Sequence, residues 1–253
     1  MTARERLGAR RHPPQPGRTG RRDAWWVEPV VIIVILGGFI LYSLWAVLQG
    51  SNYVAEPYLS PFYSPLLRPD WWPYSPAILI MWAPLGFRLT CYYYRKAYYR
   101  AFFWDPPACA VGEARRGDYG GEARFPYVLQ NLHRFTLLAA AVVLLFLWYD
   151  TIHAFFFPNG FGVGLGTLVL LANVVLLTGY TLSCHSFRHL IGGGTDCFTC
   201  SAAARMRYGV WRWASALNGR HAFWAWTSLV SVAVADLYVR LVASGAIRDV
   251  RLF

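Results

Sequence analysis

Charge is scarce in this sequence. Only 15% of its 253 residues are Asp, Glu, Lys or Arg, against 56% hydrophobic and 17% aromatic, a balance that excludes an ordinary soluble domain of this length and points to a chain that faces lipid. Acids are scarcer still, 13 against 24 basic residues that are nearly all arginine, for a net charge of +11. There is no internal repeat, no glycine-rich phosphate loop and no nucleophile elbow, which argues against a P-loop enzyme, a serine hydrolase and a transporter built from paired repeats. Cysteine is sparse and odd in number, with Cys91, Cys109, Cys184, Cys197 and Cys200. Without a secretory context that set excludes a disulfide framework, and thiols on the cytoplasmic side are expected to stay reduced.

What is present is long apolar runs with arginine at their flanks. Residues 1–24, with seven arginines before residue 23, lack apolar periodicity and read as a disordered cytoplasmic tail. Attraction to anionic lipid and control of orientation account for its charge, so no nucleic-acid partner is inferred. The run from Pro29 to Leu48 lacks a clear small-residue cleavage site and should span and remain. Hydropathy and flanking charge predict five spans at about 27–49, 76–100, 127–149, 163–190 and 221–243. The expected fold is therefore all-α, an integral membrane bundle of five transmembrane helices over residues 25–253. An arginine-rich tail inside places the N-terminus in the cytoplasm and the C-terminus outside, with 101–126 and 191–220 as cytoplasmic loops. The proline- and aromatic-rich stretch 50–75 reads as an extended outer cap.

Ionisable residues inside lipid are expensive, so each marks a site hypothesis. They gather toward the cytoplasmic leaflet: Arg88, Cys91, Arg95 and Lys96 in the second span, Asn131, His133 and Arg134 in the third, Cys184, His185, Arg188 and His189 in the fourth, Arg220 and His221 in the fifth. At 1.5 Å rise per residue, Cys91 lies roughly 18 Å from its span end, and His133, Cys184 and His185 about 10 Å from theirs. One layer holding thiols and imidazoles suggests a metal site for iron–sulfur or zinc. Two Cys and two His are what a Rieske-type 2Fe-2S centre requires, although the paired C-x-H and C-x-x-H boxes of soluble Rieske proteins are missing. Cys109 is an alternative to Cys91 if its loop folds back. The competing cofactor is haem b, with His133 and one of His185, His189 or His221 as axial ligands. Cys197 and Cys200 form a C-x-x-C pair without a second pair, read as two free thiols in a loop. Near the outer face, Asp236 and Arg240 stand four residues apart and read as an internal ion pair, a proton path being the alternative.

The runs LTCYYYRKAYYRAFFWDPPACAV (89–111), FPYVLQNLHRF (125–135), YTLSCHSFRHLIGG (180–193) and LNGRHAFWAWTSLVSVAVADLYVRL (217–241) resemble the membrane-anchor subunit of succinate dehydrogenase, the complex II type found in actinobacteria. The resemblance covers roughly residues 25–253. It implies an anchor in the bacterial cytoplasmic membrane that docks a flavoprotein and an iron–sulfur subunit and passes electrons to a quinone, usually menaquinone. It also implies, in some anchors, a membrane-embedded Rieske-type 2Fe-2S cluster in place of haem. Succinate chemistry itself would occur in the partners, and an oligomer of the whole complex is compatible with this role. Carried over by position, Cys91, Cys109, His133, Cys184, His185 and His189 are the metal candidates, four of the six being expected to bind. Arg88, Tyr92, Tyr93 and Arg95 are the expected quinone contacts.

Overall fold

The computed structural model describes residues 24–104 and 127–253. The arginine-rich tail, but for Ala24, and the loop holding Cys109 lie outside them. Within the described residues the chain is a helical bundle: α1 Val27–Gln49, α2 Ala77–Thr90, α3 Tyr92–Phe103, α4 His133–His153, α5 Leu165–Leu182, α6 His185–Gly192, α7 Ala202–Asn218 and α8 His221–Ala243. Two tiny antiparallel hairpins, Val54–Ala55 with Tyr58–Leu59 and Phe156–Phe157 with Gly160–Phe161, sit at the opposite end of the bundle from α6 and α7.

The apolar runs become helices because a helix satisfies its own backbone hydrogen bonds, and in lipid nothing else can. In α1 only Ile32, Leu36 and Ala46 are buried, while Val34, Leu41 and Leu48 point outward. An exposed apolar face of that size suits acyl chains, not water. The helix ends on Gly50, whose φ of 63° is the left-handed conformation that glycine adopts freely.

Among the described residues four helical stretches are each long and apolar enough to cross a membrane, Val27–Gln49, Val128–His153, Leu165–Leu182 and His221–Ala243. The all-α membrane bundle forms as expected, but two of the five predicted spans are not single helices. The predicted span 76–100 is two helices in series, α2 and α3, interrupted at Cys91, and the predicted span 163–190 breaks at Ser183 and Cys184 into α5 and α6. Both interruptions fall on a hydroxyl residue followed by cysteine. Thr90 Oγ1 donates back to Gly86 O and Ser183 Oγ to Tyr180 O, the local side-chain bonding that competes with helix continuation. Each cysteine then takes an extended conformation (ψ 124° at Cys91, 141° at Cys184) and caps the next helix.

The freed carbonyls are taken up by other elements. Leu89 O accepts from Tyr98 Oη at 2.9 Å and from Gln130 Nε2 at 3.4 Å, and Ser183 O accepts from Asn218 Nδ2 at 2.7 Å. The breaks are thus closed structures, as a buried backbone requires. Around them packs one apolar cluster with Phe87, Leu137, Tyr180 and Leu229 at its centre.

The stretch 50–75 is less extended than its proline content predicts. Ser60, Pro61, Phe62, Tyr63 and Ser64 are buried among the helix ends, Tyr63 stacks on Tyr53 at 4.0 Å, and its hydroxyl donates to Ala46 O at 2.9 Å. The Asp236–Arg240 pair forms as the i, i+4 spacing predicts, with Nε 2.7 Å from Oδ2. Cys197 and Cys200 are joined as a disulfide, which overturns the expectation of two reduced thiols. The two-residue spacing in the turn before α7 leaves their Cα atoms 5.7 Å apart, inside the bonding range.

Candidate metal centre

Two helix breaks and two helix starts supply four soft or borderline donors. Cys91 joins α2 to α3, Cys184 joins α5 to α6, His133 is the first residue of α4, and His221 is the first residue of α8. Cys91, Cys184 and His133 are buried, and His221 is half-buried.

The four form two mixed pairs. His133 Nε2 lies 3.0 Å from Cys184 Sγ, and His221 Nε2 lies 3.5 Å from Cys91 Sγ. Each ring is held flat against an aromatic neighbour: His133 lies parallel to Phe87 with centroids 4.9 Å apart, and His221 stacks on Tyr180 at 5.3 Å. The other ring nitrogens meet hydroxyls, His133 Nδ1 at 3.0 Å from Thr90 Oγ1 and His221 Nδ1 at 2.7 Å from Ser183 Oγ. Close packing of α8 on α5 positions His221. A Cβ on Gly179 would come within 2.3 Å of the Trp224 indole, so this approach needs glycine.

Of the six metal candidates from the sequence, the fold brings together Cys91, His133 and Cys184. His185 and His189 sit on α6 with their rings 6.2 Å apart and both side chains exposed, and Cys109 is outside the described residues. The fourth residue of the group is His221, which sequence reasoning considered only as a haem ligand. The overlooked signal was its place at a helix start, matching that of His133.

Among the quinone candidates, Arg88 is the most deeply engaged. It donates to Tyr94 Oη at 2.6 Å and Ser228 Oγ at 3.0 Å, and its guanidinium lies 4.6 Å from the Tyr180 ring centroid. Tyr93 Oη accepts from Trp226 Nε1 at 2.8 Å, and Arg95 stacks on the exposed ring of Tyr92 at 4.9 Å. Beside Arg88 opens an apolar cavity of about 240 Å³ between α1, α2, α4 and α5. Phe39, Leu44, Met81 and Leu144 line it with Arg88 and Tyr180, and Tyr180 also stacks on His221. The Tyr180 hydroxyl is buried and has no partner among the described residues.

The donor chemistry also tests which group would fit. Among the described residues no three of His, Cys, Asp and Glu converge as ligands of one ion, whereas structural zinc needs four. A binuclear cluster needs only two protein ligands per iron, and two thiols with two imidazoles are the Rieske donor set. In donor type these residues match the set that a Rieske-type 2Fe-2S group takes, while each contact in the structure pairs one thiol with one imidazole. For haem, neither imidazole has its Nε2 directed at the other, since each Nε2 faces a sulfur.

Residues 27–245 match the family model described as actinobacterial succinate dehydrogenase subunit SdhC. The chain belongs to that family. It is also similar to a chain of the solved Mycobacterium smegmatis Sdh1 complex in the apo form, at 42% identity, covering 97% of this chain and 98% of that chain with a TM-score of 0.81. No curated protein matches it. Family membership and the apolar helices together make this a membrane-embedded subunit.

Proposed function

We propose that this chain is the electron-transferring anchor of a succinate dehydrogenase, with Cys91, Cys184, His133 and His221 holding a Rieske-type 2Fe-2S cluster inside the membrane. The single observation that carries the reading is the meeting of two buried thiols and two imidazoles from four separate elements. Such a cluster supplies a one-electron relay whose potential is set by its His ligands. The chain's own part is to fix the ligands: the helix breaks present the thiols, the aromatic stacks hold the imidazole planes, and the apolar cluster excludes water.

Menaquinone is the proposed acceptor, its head group in the cavity where Arg88 and Tyr180 meet. Arg88 offsets negative charge developing on a quinone oxygen, and the Tyr180 hydroxyl, otherwise unpartnered, donates to it. Tyr93 and Trp226 brace the wall behind, while Tyr92 and Arg95 lie nearer the surface. The flavoprotein and iron–sulfur partners dock on the cytoplasmic face, with the arginine-rich segment 1–24 on the same side and the C-terminus outside.

The test is low-temperature EPR with optical spectra of the dithionite-reduced complex purified through this chain. A Rieske-type signal that disappears in His221→Ala and Cys184→Ser but persists in His189→Ala supports the ligand set. A reduced haem α-band, or a signal that survives His221→Ala, overturns it.

A further inference from the structure

The hydroxyls of Thr90 and Ser183 stand beside the two imidazoles in a crossed arrangement. Thr90 precedes Cys91 in the chain, yet its partner is His133, which pairs with the other cysteine, Cys184. Ser183 precedes Cys184, yet its partner is His221, which pairs with Cys91. Each imidazole is thus bracketed between the hydroxyl of one helix break and the thiol of the other.

Each of these hydroxyls also has a backbone carbonyl in reach. A hydroxyl has one proton to give and two lone pairs to receive. Thr90 spends its proton on Gly86 O at 2.6 Å, and Ser183 spends its own on Tyr180 O at 3.0 Å. The neighbouring Thr136 hydroxyl donates to His133 O at 3.0 Å, so it does not supply the His133 ring with a proton. With their protons on these carbonyls, both hydroxyls accept from the imidazoles. Both rings then carry their proton on Nδ1, and Nε2 faces sulfur as a lone pair.

We infer that Thr90 and Ser183 are positioning residues that select the metal-binding tautomer of His133 and His221 and hold each ring by its far nitrogen. The inference rests on the cluster reading above and adds to it. The helix break does two things at once: it presents the cysteine ligand of one pair and orients the histidine ligand of the other. Accepting from Nδ1–H also raises the basicity of Nε2, the usual effect of such a partner on a ligating histidine. A more basic imidazole favours the oxidised iron, so these hydroxyls lower the potential of the centre.

The experiment compares the purified complex carrying Thr90→Val, Thr90→Ser or Ser183→Ala with the parent, by iron content per flavin, EPR line positions and redox titration of the signal. Thr90→Val keeps the side-chain shape and Ser183→Ala opens only a small gap, so both are expected to assemble with full flavin. Iron retention on challenge with a chelator should fall about 10–100-fold, and the signal that remains should shift in line position. A tenfold loss of preference for the oxidised state appears as an upward shift of about 59 mV for one electron. Thr90→Ser, which keeps the hydroxyl, should behave as the parent. Parent-like iron retention, lines and potential in Thr90→Val and Ser183→Ala overturn the tautomer role while leaving the cluster reading in place, and so does a Thr90→Ser complex as impaired as Thr90→Val. A parent complex loaded with flavin but without any Rieske-type signal overturns the cluster reading itself, and this inference with it.

Discussion

Asp236→Ala is expected to destabilise the hairpin end of the bundle by about 3–5 kcal/mol, the cost of leaving one partner of a buried ion pair uncompensated. Asp236 is fully buried and Arg240 is 4% exposed. The carboxylate accepts from Arg240 Nε at 2.7 Å, from the Tyr42 hydroxyl and from Ser60 Oγ. Arg240 also donates to Ala46 O at 2.6 Å, Gln49 Oε1 at 2.8 Å and Ser51 O at 2.9 Å. These neutral acceptors keep the guanidinium hydrogen-bonded after the carboxylate is removed, which holds the cost to a few kcal/mol, far below that of a bare buried ion. At about 2–4 °C per kcal/mol for a chain of this size, the melting point in detergent should fall by roughly 6–20 °C. The double replacement Asp236→Leu with Arg240→Met removes both charges and should recover most of that loss. A fall below about 2 °C in Asp236→Ala refutes the structural account. An Asp236→Asn protein of parental stability with slowed quinone reduction would instead revive the proton-path reading of this pair.

Gly179→Val forces a side chain into the space of the Trp224 indole. It should separate α8 from α5, displace His221 and lower iron content with little loss of helix in circular dichroism, whereas unchanged iron content would show that His221 is placed by other contacts. At the hairpin end of the bundle, burial and then the hydrogen bond to Asp249 push the Tyr58 phenol from its ordinary 10.0 up to about 12. Because its folded-state value is raised, the neutral phenol's contribution is intact below pH 10 and is lost as the pH rises through about 12. Thermal melts across that window should therefore show a steeper alkaline loss in the parent than in Tyr58→Phe, and parallel curves would refute the link.

Much of the site was legible because lipid makes polar residues conspicuous. Cys91, His133 and Cys184 stand out in apolar runs, and dead reckoning at a fixed rise per residue was enough to suggest a shared layer. That reckoning assumed unbroken helices. It therefore retained His185 and His189, which the break at Ser183 and Cys184 turns away on a separate exposed helix, and gave no preference to His221. The break itself depends on acceptors and donors from elsewhere, Asn218 on α7 for one and Gln130 before α4 for the other, and such partners are not written in local sequence.

By itself, the sequence determined that the chain lives in lipid, that it is helical, and that Asp236 should meet Arg240, because hydrophobic length and i, i+4 spacing act within one segment and need no partner. Tertiary structure alone decided which imidazole meets which thiol, that the Cys197 and Cys200 turn closes on itself, and that each hydroxyl before a cysteine lies against the opposite histidine. Those outcomes depend on the packing of α2, α4, α5 and α8 against one another, where a shift of one residue or one helix break changes which side chains meet.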